Sequence, residues 1–234
     1  MAGVLEHLGY RLHYNPEQTC CGQPAFNAGH RGKARKVAET FVDAFKDEVG
    51  VIVGPSGSCV GMVRNYYQVL FKDHARLEEA LALSRRIFEF SEFLAREKRL
   101  DDISGKAAGK IGFHNSCHSY RELGLQDEPF DLMRCISGYD LIEVPGEPVC
   151  CGFGGLFSVK YEAIAETMAL SRLEQFTSLG VETIVTNDPG CLMHMRQEAV
   201  DRGMDVRIIH VAEFIAKAMG VNPVKGLSGA EEKE

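Results

Sequence analysis

The sequence spells Cys-Cys-Gly twice, at Cys20-Cys21-Gly22 and at Cys150-Cys151-Gly152. Neighbouring cysteines rarely bond to each other, because the ring that closes is strained. Both can face one polynuclear metal centre, and the glycine that follows lets the backbone turn tightly around it. A single cysteine follows each pair at nearly the same distance, 38 positions from Cys21 to Cys59 and 40 from Cys151 to Cys191. That near-equality points to an internal duplication.

The repeat extends past the cysteines. Arg11–Pro16 parallels Asp140–Pro145, Val51–Met62 parallels Thr183–His194, and Arg86–Leu94 parallels Arg207–Ile215. The offset is 130 at the CCG, 132 at the next cysteine and 121 at the shared Glu-Phe. The first copy therefore carries about three helical turns of extra chain, around Phe71 to Arg85. Two half-domains result, residues 1–105 and 106–234, with the seam in the polar stretch Asp101 to Lys110.

Each half alternates strand and helix. In the second, apolar runs predict strands at Lys110–His114, Leu141–Val144, Thr183–Thr186 and Val206–Ile209. Ala163–Leu179 has helical periodicity, with Ile164, Met168, Ala169, Phe176 and Leu179 near one face and Leu173 at its edge. Val211–Met219 also fits a helix. Alternating βα order implies an α/β fold with mostly parallel sheets. Sites in such folds form in loops beyond the carboxyl ends of strands. Cys117, Cys150, Cys151 and Cys191 each follow a predicted strand end, so four cysteines far apart in sequence should converge on one rim.

Composition narrows the function classes. With 45% hydrophobic and 25% charged residues the chain is neither disordered nor a coiled coil. No apolar run reaches the roughly 20 residues of a membrane span. A net charge of −7 argues against nucleic-acid binding, which wants a basic face. No secretory leader is visible, so a cytoplasmic location is expected. There, eight cysteines suit metal ligation or redox chemistry better than structural disulfides.

Thiolates suit iron–sulfur clusters or zinc. Zinc sites usually show two short-spaced pairs. Here Cys150-Cys151 stands with two lone cysteines, Cys117 and Cys191, which favours a cluster over a single ion. His194, three residues after Cys191, would share its helix face as a ligand or hydrogen-bond donor. The first half offers Cys20, Cys21 and Cys59. The counterpart of Cys117, and of the strand before it, would fall ahead of residue 1, and Met62 stands where His194 stands. Three thiolates at most remain there, and zinc or an empty site is the alternative to a cluster.

Other candidates have plainer readings. Cys135 lies in a helical pattern and reads as an ordinary thiol. His114 and His118 flank Cys117 and read as hydrogen-bonding loop residues first, ligands second. Gly152-Phe-Gly-Gly155 lacks phosphate-loop spacing and reads as backbone wrapping a metal centre. The basic run His30–Lys36 reads as a solvated helix face, with a docking patch as the alternative, and Glu231–Glu234 as a polar disordered tail. No Ser-His-Asp set or dinucleotide fingerprint stands out, so flavin or nicotinamide would sit on a partner.

The motifs Cys20–Gly29, Gly57-Ser-Cys59, Phe113–His118, Cys150–Phe157 and Asp188–His194 resemble the cysteine-rich (CCG) domain family. That family includes the CCG subunit of heterodisulfide reductase, the Fe–S subunit of glycolate oxidase and the lactate-utilisation protein A group, to which these motifs are most similar. The resemblance spans essentially the whole chain. It implies a [4Fe–4S] cluster on Cys117, Cys150, Cys151 and Cys191, and an electron-transfer subunit in a complex oxidising L-lactate to pyruvate. It also implies two partners, a ferredoxin-like Fe–S subunit and a small third subunit. Where the family often closes with C-x-x-C this chain has His194, so the fifth thiolate of a non-cubane cluster is absent. A zinc-binding scaffold, or a subunit serving another 2-hydroxy acid or a disulfide, are the alternative readings.

Overall fold

A computed structural model describes residues 1–221 of the chain. The tail Glu231–Glu234 lies outside the described residues.

Eight strands form among the described residues: β1 (Ile52–Gly54), β2 (Ile87–Glu89), β3 (Gly105–Lys106), β4 (Lys110–His114), β5 (Ile136–Ser137), β6 (Asp140–Ile142), β7 (Thr183–Thr186) and β8 (Arg207–His210). Every pairing is parallel. The largest sheet has the order β6-β4-β7-β8, and β1-β2 and β3-β5 form two smaller ones. The fold is α/β, as the alternating pattern requires. β4 and β7 occupy the residues the apolar runs assign to them, and β6 and β8 lie within two residues of theirs.

β1 and β2 of the first half correspond to β7 and β8 of the second, and both pairs are adjacent and parallel. Arg11–Pro16, the repeat partner of the β6 region, forms no strand. The physical reason is pairing. β6 bonds only to β4, and no counterpart of β4 stands beside Arg11–Pro16 among the described residues. The extra chain after Cys59 includes the helix Leu77–Ser84, whose Ala80 and Leu83 pack into the first half's own core.

One hydrophobic cluster crosses the sequence seam. Val4, Leu5, Phe90 and Leu94 pack with Ile111, Phe113, Leu132 and Ile215. Another cluster lies behind the second-half cysteines, where Leu173 and Phe176 meet Ile184, Met195 and Ile208. Both come from the helix Glu162–Thr177. Its buried stripe is Ala165, Ala169, Arg172, Leu173 and Phe176, and Ile164 and Leu179 face solvent. The stripe is rotated from the one apolar periodicity suggests. Full burial of Leu173 and Phe176 contributes about 2 to 3 kcal/mol each.

Candidate metal centre

Two strand–turn–helix units carry equivalent cysteines. β1 leads through Ser56 into the helix Gly57–Gly61, and β7 leads through Asp188 into the helix Pro189–Asp201. Each capping side chain accepts a backbone N–H of the first turn, Cys59 N to Ser56 Oγ and Gly190 N to Asp188 Oδ1. Cys59 and Cys191 are therefore each the third residue of a capped helix. Cys117 follows β4 and leads into the short π-helical turn His118–Glu122.

The structure brings the four second-half cysteines into one chain of contacts. Cys117 Sγ lies 3.8 Å from Cys150 Sγ, and Cys151 Sγ lies 3.0 Å from Cys191 Sγ. Cys150 and Cys151 are neighbours in sequence, and that adjacency links the two pairs. The Gly152 N–H donates to Cys150 Sγ at 3.4 Å. Gly152 has φ +85°, and a Cβ there would stand 2.6 Å from the Ala165 carbonyl oxygen, so only glycine fits this turn.

The first half repeats this arrangement on a smaller scale. Gly22 N–H donates to Cys20 Sγ at 3.4 Å, as Gly152 N–H does to Cys150 Sγ. In each adjacent pair the first thiol is drawn below its ordinary value by a hydrogen bond from a neighbouring thiol, and the second is pushed above it. Cys20 falls to about 6 through its bond from Cys21. Cys150 falls through bonds from Cys117 and then Cys151. Cys21 and Cys151 rise because each donates to that neighbour and lies buried. The first thiol of each pair is thus the readier thiolate, the form that binds metal.

A histidine belongs to the second group, but it is His114. One ring nitrogen of His114 lies within 4.8 Å of the Cys151 and Cys191 sulfurs, and all three residues are buried. Arg172 Nε donates to His114 Nδ1 at 3.1 Å. Neutral imidazole has one lone pair, and this bond occupies it, so the ring proton sits on Nε2. His114 Nε2 is fully buried and has no partner among the described residues. Burial, then the charge of Arg172, lowers the His114 pKa to about 3. His114 therefore presents an N–H and has no lone pair left for a metal ion. His194 is outside this group. Its Nε2 lies 3.2 Å from the Ala165 carbonyl oxygen and its ring packs near Phe153.

Cys135 sits at the end of the helix Glu128–Arg134 and donates to the Asp131 carbonyl at 3.2 Å, apart from both groups. His118 Nε2 lies 3.1 Å from Gln23 Nε2, beside the first CCG. No sequence signal singles out Arg172, because a charged residue in a helical run reads as solvated.

The cysteine-rich domain (CCG) model matches residues 1–64 and 111–196, which include both groups of thiols. The chain belongs to the CCG cysteine-rich domain family. Among similar proteins is Lactate utilization protein A of Oceanobacillus iheyensis, 35% identical over 212 residues, or 91% of this chain and 86% of the relative. Lactate utilization protein A 2 of Bacillus cereus is 36% identical over 217 residues, covering 92% of this chain and 89% of the relative. Lactate utilization protein A 1 of Bacillus anthracis is equally similar. No helix among the described residues is long and apolar enough to cross a membrane.

Proposed function

We propose that this chain is the iron–sulfur electron-transfer subunit of a complex that oxidises L-lactate to pyruvate. Cys117, Cys150, Cys151 and Cys191 would hold a [4Fe–4S] cluster. When bound, such a cluster supplies one-electron transfer. The observation that carries the reading is the two contacting sulfur pairs, Cys117 with Cys150 and Cys151 with Cys191, drawn from three loops of one parallel sheet and joined by the Cys150-Cys151 step of the chain.

The residues present fit that group. Four thiolates match its usual ligand number. Gly152 N–H already points at the Cys150 sulfur, and hydrogen bonds to sulfur are one way a protein sets the potential of such a centre. The loop after Cys151 turns tightly, with Gly152, Gly154 and Gly155 all at positive φ. No dinucleotide fingerprint stands out in the sequence, so lactate would be oxidised on a partner. A ferredoxin-like Fe–S subunit and a small third subunit are the partners this reading requires. Cys20, Cys21 and Cys59 would supply at most three thiolates to a second site, with zinc as its metal or with the site empty.

A zinc scaffold is the second reading, favoured by the nitrogen and two sulfurs grouped at His114, Cys151 and Cys191. The bond from Arg172 weakens it, because it takes the lone pair that zinc would need. Anaerobic purification, metal analysis and EPR with and without dithionite decide between the two. We expect about four irons at the second-half site and a signal that changes on reduction. Zinc alone, with no iron taken up on reconstitution, would overturn the electron-transfer reading.

A further inference from the structure

Arg172 is 4% exposed, yet every acceptor it meets is neutral. Its Nε donates to His114 Nδ1 at 3.1 Å, its Nη1 donates to Gln175 Oε1 at 2.7 Å, and its guanidinium lies 4.3 Å from the Phe176 ring centroid. None of the ion pairs among the described residues includes Arg172. Guanidinium does not give up its proton at neutral pH, and a buried charge without a counter-charge is strongly disfavoured. The anion must come from elsewhere. The link to the thiols is geometric: His114, which accepts from Arg172 Nε, lies with the Cys151 and Cys191 sulfurs. The second observation is the orphaned, fully buried Nε2–H of His114, on the ring that contacts Arg172 through its other nitrogen. One ring nitrogen of His114 is within 4.8 Å of the Cys151 and Cys191 sulfurs. A buried cation and a buried donor without acceptor thus stand together at the thiol group.

We propose that Arg172 is the counter-cation of the second-half metal–thiolate centre, and that His114 positions it and adds an N–H toward the sulfurs. This rests on the reading that Cys117, Cys150, Cys151 and Cys191 hold metal, though not on which metal. Four thiolates around a divalent cation carry two negative charges in excess. Arg172 offsets one of them inside the protein. Both residues are positioning residues: they act on the centre through charge and hydrogen bonding and ligate nothing. For a redox-active centre the consequence is direct. A fixed positive charge favours the more negative, reduced form and so raises the potential.

The test neutralises Arg172 without removing it. Gln175→Glu is isosteric and places a carboxylate on the guanidinium at a half-buried position, so the fold is retained. Co²⁺ is added anaerobically to the metal-free full-length chain, in a Cys59→Ser background that disables the first-half site. The sulfur-to-cobalt charge-transfer band reports binding. Gln175→Glu and Arg172→Gln should each weaken cobalt binding by about tenfold to a hundredfold, the usual effect of altering groups that support ligands. Arg172→Lys, which keeps the charge, should recover most of it. Where iron is taken up, Gln175→Glu should also lower the midpoint potential.

Cobalt binding unchanged in Gln175→Glu overturns the proposal, as does a wild type that binds no cobalt. Arg172→Lys as impaired as Arg172→Gln, with circular dichroism unchanged, would show that shape and not charge matters and would overturn it too. If Arg172→Gln fails to fold, Gln175→Glu decides alone. A protein that binds cobalt with the expected differences but takes up no iron sinks the electron-transfer function and leaves this inference standing.

Discussion

The Ser56 hydroxyl donates to the Asp188 carboxylate across 2.8 Å, and the two residues hold the same place in the two repeats. Each caps the helix that carries a lone cysteine, Cys59 in one half and Cys191 in the other. Asp188 also accepts from the Ser58 backbone N–H at 3.1 Å and from its own helix at Gly190 N. One buried carboxylate therefore stitches both cysteine-bearing turns together. Its charge bears on Cys59, Cys117 and Cys191 alike. A second contact runs beside it, between the His210 ring and the Pro55 carbonyl oxygen at 2.8 Å.

Removing that carboxylate should be costly. Asp188→Ala leaves the Ser58 and Gly190 backbone N–H groups without their acceptor and the Ser56 hydroxyl with only the Ser58 hydroxyl. Bonds to a charged acceptor contribute more than neutral ones, so a loss of about 3 kcal/mol is expected. Urea unfolding of the metal-free protein measures it. Ser56→Ala removes one donor and the cap acceptor of the Cys59 N–H but leaves the carboxylate bonded to two N–H groups, so about 1 to 2 kcal/mol is expected there. Equal losses in both variants would show that Asp188 does not bridge the halves energetically.

Cys151→Ser tests the ligand set. Cys151 is the middle of the sulfur chain, 3.0 Å from Cys191 and adjacent to Cys150. A hydroxyl is a poor ligand for iron or cobalt beside thiolates. The visible chromophore should vanish while the metal-free fold loses about 1 kcal/mol, the ordinary effect of a single substitution. Cys135→Ser, away from both groups, should keep the chromophore. Full iron content in Cys151→Ser would remove Cys151 from the set.

Much of this was legible in the residues, and the exceptions have physical causes. β4 and β7 run over the residues their apolar runs mark, because the interior of a parallel sheet buries their central apolar residues, Ile111 and Phe113 in β4 and Ile184 and Val185 in β7. The doubled CCG and the matched Cys59 and Cys191 located both thiol groups. The i+3 spacing pointed to His194, yet His114, at the end of β4, is the histidine beside Cys151 and Cys191. Arg172 was invisible because periodicity treats every arginine as solvated. Its burial depends on what lies across the sheet, which no local pattern encodes. Arg11–Pro16 matched a strand by repeat but forms none, because strands exist only in pairs.

The close fit of the halves can be probed at Gly57. A Cβ at Gly57 would stand 2.0 Å from Ser119 Oγ and 3.0 Å from Ser119 N. The backbone nitrogen cannot swing away as a side chain does. Gly57→Ala should therefore destabilise by about 1 to 3 kcal/mol, the range for overpacking a tight interior. Adding Ser119→Gly should recover part of that, since the hydroxyl goes but the backbone contact stays. A double-mutant cycle by urea unfolding reads the coupling. Additive effects would mean the two segments are not in contact.

Glu89 gives the protein a pH dependence that is separate from the thiols. It caps the helix Phe90–Arg96, accepting at Oε2 from the N–H groups of Ser91 and Glu92 and from the Ser91 hydroxyl. Its other oxygen, Oε1, is buried without a partner among the described residues. Burial outweighs these bonds and raises its pKa from the ordinary 4.5 to about 7. An unfolded chain loses this proton near 4.5 and the folded one near 7, so between those values the folded state binds more protons. Stability from this group is whole below 4.5 and is lost as pH rises through 7. The integrated loss is on the order of 3 kcal/mol. Glu89→Gln keeps a neutral acceptor at the cap and removes the titration. The stability difference between wild type and Glu89→Gln, measured by urea unfolding at pH 5 and pH 8, should therefore shift by about 3 kcal/mol in favour of the variant at the higher pH. A difference that stays flat across that interval would mean Glu89 is already ionised in the folded protein, with its free oxygen reached by water.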